Sequence, residues 1–265
     1  MSKKVKWTII AICLVVATCS IGYIVYYEVM KVRTAQEYEA MQEAVKEPIE
    51  KPEEKVPEQG LEKPEKEVVE LDVPIDFETL KAQNPDVYAW IEIPDTNIAY
   101  PILQSAEDDA YYLNYTMERE YSPWGSIYTE LANGNDFRAF NTIIYGHNML
   151  DDTMFSGLKK YRDLQYLNDH ETIKIYMEDA ILTYQVFVAT EFDERHLLYA
   201  YNFDDEEDSQ QFLDDVVSAR DMASIVRDDV EVTAKDHVIT LSTCVFNENK
   251  RFLVGAVLVD EQREE

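Results

Sequence analysis

Near the C-terminus the sequence runs Thr240-Leu241-Ser242-Thr243-Cys244, and Arg251 follows after a short connection. This reads as a buried strand delivering one thiol, a turn, and a second apolar strand that opens with a guanidinium. A cysteine so placed is a candidate nucleophile, because a thiolate needs a basic or positive neighbour. In an antiparallel hairpin Cys244 and Arg251 face each other across the open end. A guanidinium is always charged and carries several donors, so it suits an oxyanion or a substrate carbonyl. Lys250 alternates to the opposite face, so only one of these two cations points at the thiol. The plain alternative for Cys244 is a small buried hydrophobe.

Four histidines are available as the base. His237 shares a strand with Cys244 and lies roughly 23 Å away along it, out of reach and at the solvent-facing strand start. His170 and His196 sit in polar, charged stretches and read as surface residues. His147 differs, because it follows the apolar run Asn141-Thr142-Ile143-Ile144-Tyr145 and is preceded by Gly146. The glycine reads as a sharp turn, and the end of a rigid strand is where functional groups tend to be placed.

These residues need elements to hold them. Alternation and β-branched or aromatic content predict strands over 88–93, 98–103, 125–128, 141–145, 172–177, 180–190, 237–243 and 252–259. Pro101 inside the second suggests an edge or a bulge. Short helices are expected over 77–84, ended by Pro85, and over 154–161, with a helical turn at 109–113. The best amphipathic helix covers 205–220, with Phe212, Leu213, Val216 and Val217 on its apolar side. Many short strands and few long helices predict a mainly β fold, a closed barrel carrying added helices.

The N-terminus bears on location. Lys3, Lys4 and Lys6 precede an uncharged run over residues 7–27, and a membrane-crossing helix needs ~20 residues. Trp7 marks one end and Tyr23, Tyr26 and Tyr27 the other, as aromatic belts do. Residues 1–6 are therefore expected as a cytoplasmic basic tail, 7–27 as a single-pass anchor, and everything beyond as extracellular. A cleaved signal peptide is the competing reading, but no Ala-x-Ala site follows the run. Residues 28–47 continue with good helix formers. Residues 48–74 are rich in Glu, Lys and Pro and lack aromatics, so 28–75 is expected to be helical and then an extended spacer. The folded domain spans 76–265. Cys13 and Cys19 fall inside the apolar run, leaving Cys244 with no disulfide partner in that domain. A net charge of −29 argues against nucleic-acid binding.

At these residues the chain resembles the sortase family, the membrane-anchored cysteine transpeptidases of Gram-positive bacteria. The Thr240–Cys244 run with Arg251 looks like the family's nucleophile motif and its arginine, and Asn141–His147 looks like the segment carrying the histidine. Trp90-Ile-Glu-Ile-Pro-Asp-Thr96, Tyr100-Pro-Ile-Leu-Gln104, Tyr112-Leu113-Asn114, Gly125-Ser-Ile127, Met154-Phe155 and Gln210-Gln-Phe-Leu-Asp214 resemble class B segments in the same order. The resemblance implies an eight-stranded sortase barrel with N-terminal helices and a long helix before the penultimate strand, matching 205–220. It implies that Cys244 attacks the Thr carbonyl of a C-terminal sorting signal on a secreted protein. A peptidoglycan precursor amine then resolves the thioacyl enzyme. His147 is implied as acid and base and Arg251 as the substrate and oxyanion clamp, with Leu113, Tyr145 and Ser242 near the substrate groove. No cofactor and no metal are expected. A pilus-polymerising sortase, a hydrolytic cysteine peptidase and a tethered binding domain remain open alternatives.

Overall fold

A computed structural model describes residues 2–46, 71–149, 152–219, 224–245 and 249–264. They belong to two compact units, Met1–Ala44 and Val45–Glu265. The first is built on a single helix, α1 (Lys3–Lys46). It contains one stretch long and apolar enough to cross a membrane. Most of the expected spacer, 47–70, lies outside the described residues.

Among the described residues the second unit holds nine strands: β1 (Val87–Glu92), β2 (Ala99–Leu103), β3 (Ile127–Tyr128), β4 (Asn141–Tyr145), β5 (Thr172–Tyr176), β6 (Ala180–Asp193), β7 (Ile225–Val226), β8 (Val238–Cys244) and β9 (Lys250–Arg263). Hydrogen-bonded neighbours run β5-β1-β2-β3-β4-β8-β9-β6, and β6 pairs back onto β5. Eight strands thus close into the expected barrel, which removes open sheet edges from the ring. Strand β6 makes closure possible. One of its flanks carries β9 along nearly its whole length, and the other carries β5 at Ile181–Gln185 and the short β7 at Val188 and Ala189. Two register shifts in the β6–β9 ladder, at Thr183/Tyr184 with the extra residue in β9 and at Val186/Val188 with it in β6, bend the pair around the barrel.

Two of the ladders are parallel, β2 with β3 and β4 with β8. Parallel pairing carries both strands to the same end of the barrel. The β4–β8 register matches Asn141 to Val238 and Tyr145 to Ser242. Continued by two residues, it sets His147 beside Cys244.

Helix α2 (Phe77–Gln83) starts at Asp76, whose carboxylate accepts from Thr79 N at 2.9 Å. Two short helices, α3 (Leu164–Asp169) and α4 (Leu197–Ala200), carry no clear periodic signal. The amphipathic stretch forms α5 (Glu206–Ser218), N-capped by Asp205 through the amides of Glu207 and Asp208. Its Phe212, Leu213 and Val216 pack with Phe140, Phe187 and Leu197 into a hydrophobic cluster. Full burial of such side chains stabilises by about 1.5–3 kcal/mol each.

Three expectations need correction. Pro101 sits on neither an edge strand nor a bulge: β2 lies between β1 and β3, and its partner β1 carries the register shift at Val87/Ala89. The proline is tolerated because β3 pairs only with Ile102 and Leu103, leaving Pro101 no ladder to break on that side. The segment expected as a helix over 154–161 is a 3-10 helix, Ser156–Arg162. Strand β9 runs to Arg263, past the apolar pattern, because Asp260–Arg263 still pair with β6 and Arg263 Nη1 meets Asp179 Oδ2 at 3.0 Å.

Candidate active site

Cys244 is the last residue of β8 and is exposed, although the six residues before it are buried. The rigid strand thus presents the thiol at the barrel mouth. On one flank the antiparallel register pairs Cys244 with Arg251 in β9. On the other stands the end of β4 with His147. Neighbouring strands lie ~4.8 Å apart and directly paired residues share a face, so the three side chains start from adjacent positions. All three line one cavity of about 300 Å³, together with Leu113, Tyr145 and Ser242.

Backbone ties hold the strand ends in register. Gly146 N donates to Ser242 O at 3.1 Å, and Thr243 Oγ1 donates to Gly146 O at 2.7 Å. Asn148 Nδ2 donates to Cys244 O at 2.8 Å. His147 is fixed from the far side, with Nε2 at 2.7 Å from Leu113 O. A carbonyl can only accept, so Nε2 carries the hydrogen and Nδ1 is the nitrogen left to exchange a proton. Leu113 therefore contributes a backbone atom that orients the ring, besides an exposed side chain in the cavity.

Gly146 does not act through a glycine-specific turn, since its φ is not positive. A Cβ there would meet Ile127 Cδ1 at 2.6 Å and Phe155 Cδ2 and Cγ at 2.7 Å. The glycine is a matter of space: Phe155 packs against the strand end while its amide donates to His147 O at 3.0 Å.

Arg251 Nη1 donates to Lys250 O at 3.1 Å. Lys250 turns the other way and pairs with Glu191 at 3.0 Å, as strand alternation requires. The cavity floor is aromatic. Tyr128 and Tyr145 stack with centroids 5.3 Å apart. Burial pushes both phenols well above the usual tyrosine range, and Glu130 adds to each rise.

Glu130 and His196 escape sequence reasoning. Glu130 is buried and lines the cavity, and its Oε1 lies 2.8 Å from His196 Nε2. Burial raises the Glu130 carboxyl above its ordinary range, and the histidine opposes that rise. Tyr145 lies beside this carboxyl without a hydrogen bond of good geometry. His196 is thus not a free surface residue but ties the segment before α4 to the loop after β3. Next to it Arg195 forks onto Asp193, with Nε–Oδ1 at 2.7 Å and Nη2–Oδ2 at 2.5 Å, and covers Phe192. His237 is half-buried and bonded to Ala139 O at 3.1 Å, rather than solvent-facing. His170 stacks on Tyr166 away from the cavity.

Residues 91–259 match the sortase domain family. Sortase B of Listeria monocytogenes is 38% identical over 167 residues, which is 62% of this chain and 65% of that protein, so the match falls just short of two thirds of its length. Sortase B of Staphylococcus aureus is 34% identical over 186 residues, 69% of this chain and 74% of that protein. Among solved structures, a Staphylococcus aureus sortase B–substrate complex is similar with a TM-score of 0.62 at 34% identity, covering 69% of this chain and 84% of that one. Sortase B from B. anthracis in complex with AAEK1 reaches 0.67 at 27% identity, covering 86% and 98%. The family match spans most of the barrel and includes His147, Cys244 and Arg251, so the chain belongs to the sortase family, alongside proteins named sortase B.

Proposed function

We propose that the protein is a cysteine transpeptidase that cleaves a C-terminal sorting signal of secreted proteins and joins them to a peptidoglycan amine. The observation that carries this reading is the register that gathers Cys244, His147 and Arg251 at one cavity.

The Cys244 thiolate adds to the carbonyl carbon of the scissile peptide, in this reading that of a threonine. A C–S bond forms and the π electrons move to oxygen. Arg251 faces that oxyanion, the role in which a positioned donor contributes most. Collapse breaks the C–N bond, and the leaving amine takes the proton from the His147 imidazolium at Nδ1. A thioester and a neutral imidazole remain. The acceptor amine then gives its proton to Nδ1 as its nitrogen adds to the thioester. Collapse expels the thiolate and leaves a new amide, so both thiolate and imidazolium are regenerated. Leu113, Tyr145 and Ser242 contact the sorting signal along the groove.

Helix α1 anchors the enzyme, with its lysine-flanked end cytoplasmic and the barrel outside, where both substrates are found. The reading is tested by incubating the full chain, in detergent, with threonine-containing sorting peptides, with and without an added amine. Ligated product that requires the amine is expected. Cleavage at the same rate in its absence, with water as the only acceptor, contradicts transfer and favours a peptidase. Preference for a pilin lysine over a peptidoglycan amine contradicts wall joining and favours pilus assembly.

A further inference from the structure

The cavity that holds Cys244 carries a second polar pair at its other end. Tyr128 stands opposite Tyr145 in the antiparallel β3–β4 pairing. Side chains two apart on a strand share a face, so Glu130 follows Tyr128 into the cavity as His147 follows Tyr145, and all four line it. The two strands run in opposite directions. Glu130 therefore lies level with Ile143, four residues back from His147 along β4, or about 13 Å.

The wall around Glu130 is fixed. Glu130 O accepts from Gln104 Nε2 at 3.0 Å, and Leu131 N donates to Asp109 Oδ1 at 2.8 Å. Asn133 Oδ1 accepts from Ile143 N at 2.8 Å, which joins this loop to β4. The opposite wall is residues 192–197, running from the end of β6 into α4. Arg195 ties that wall to Asp193 within the same segment, and through Tyr201 Oη at 3.1 Å toward α5. Neither tie crosses the cavity. The bond between His196 Nε2 and Glu130 Oε1, at 2.8 Å, does cross it. His196 is also where α4 begins: its carbonyl accepts from Ala200 N at 2.9 Å, and the exposed Tyr199 lies over its ring with centroids 4.3 Å apart. A shift of His196 thus carries the start of α4 with it.

We propose that Glu130 and His196 are a positioning pair, which holds the 192–197 wall against the fixed wall and sets the width of the groove for the acyl-donor peptide; this rests on the transpeptidase reading above. Glu130 is buried. A buried carboxyl that loses its partner keeps the cost of having left water, and it recovers that cost only if water returns. Breaking the bond therefore drives the walls apart to admit water, and the peptide loses contacts on one side. The pair touches none of the reacting atoms, so the loss falls on peptide binding and not on bond-making.

The test uses the full chain in detergent with a threonine-containing sorting peptide. His196→Ala is expected to raise KM about tenfold while kcat stays within about twofold. Glu130→Gln keeps an acceptor for Nε2–H and is expected to raise KM only about twofold. A fall in kcat at unchanged KM, or equal losses from His196→Ala and Glu130→Gln, overturns the proposal. Should His196→Ala not fold by circular dichroism, His196→Asn, too short to reach Glu130, takes its place; failure of both to fold assigns the pair to stability alone and overturns the proposal. Calorimetry then measures peptide binding to Cys244→Ala, with and without His196→Ala, where no chemistry is needed. A tenfold loss is expected, and unchanged affinity overturns the pair even if the native chain turns over. Thioacylation of the native chain is followed in parallel by mass spectrometry. Binding that depends on the pair, without any thioacylation, upholds the pair and rejects the transpeptidase reading. Absence of peptide binding and of thioacylation overturns both.

Discussion

At the scale of single residues, the thiol, imidazole and guanidinium were all legible in the sequence, because each stands at the end or start of a strand with its own apolar pattern. Arg251→Ala is expected to lower kcat by about 10²–10³-fold, the range for losing one oxyanion donor. Arg251→Lys restores little of it, since an ammonium lacks the planar fork; steady-state kinetics with a sorting peptide reads both. Asn148→Ala removes the bond to Cys244 O, and about 1 kcal/mol of stability is expected to go with it in urea unfolding. The Glu130–His196 pair was not legible. Each residue sits in a polar stretch with no periodic neighbour, and only the packing of the β6–α4 segment on the loop after β3 brings them together. The same holds for the Leu113 carbonyl, a backbone atom that no side-chain pattern reports.

At the scale of elements, β4 and α5 were read nearly to the residue, since apolar alternation marks one and an amphipathic stripe behind Asp205 marks the other. The helix over 77–84 and the turn at 109–113 are legible, whereas the 3-10 character of Ser156–Arg162 and the helices α3 and α4 are not, because they are too short to show a period. Their positions come from side-chain anchors such as Asp163, which caps α3 through Tyr166 N. Gly146 serves as room for Phe155 rather than as the turn former that its sequence context suggests. Gly146→Ala is expected to cost about 1–3 kcal/mol by overpacking and to lower activity by shifting His147; thermal unfolding and kinetics together check this. Gly125 has a φ of +53° and would drive a Cβ into the carbonyls of Tyr112 and Leu113, the second of which orients His147. Phe212→Ala, buried in the α5 cluster, is expected to cost about 3–5 kcal/mol with a smaller effect on kcat.

At the scale of the whole molecule, closure of the ring was legible only as a class, because many short strands say barrel without saying which strands pair. The parallel β4–β8 ladder, on which the site depends, has no local signature. The chain carries a net charge of −29, and its few cations are placed with care. Arg227 pairs with Glu171 and holds that carboxyl below its ordinary range, chiefly by hydrogen bonding. A carboxyl lowered in the folded state contributes stability above the ordinary carboxylate range and loses it as pH falls through the lowered value. The melting-temperature gap between the native chain and Arg227→Gln is therefore expected to be largest at neutral pH and to narrow as the pH falls below the ordinary carboxylate range. The central claim is that Cys244 carries the acyl group between two substrates. Intact-protein mass spectrometry of the full chain, quenched in acid after mixing with a threonine-containing sorting peptide, addresses it directly. A mass increase equal to the N-terminal peptide fragment, mapped to Cys244 and discharged by an added amine, is the expected result. Undiminished product formation by Cys244→Ala, or an acyl group mapped to any other residue, would contradict it.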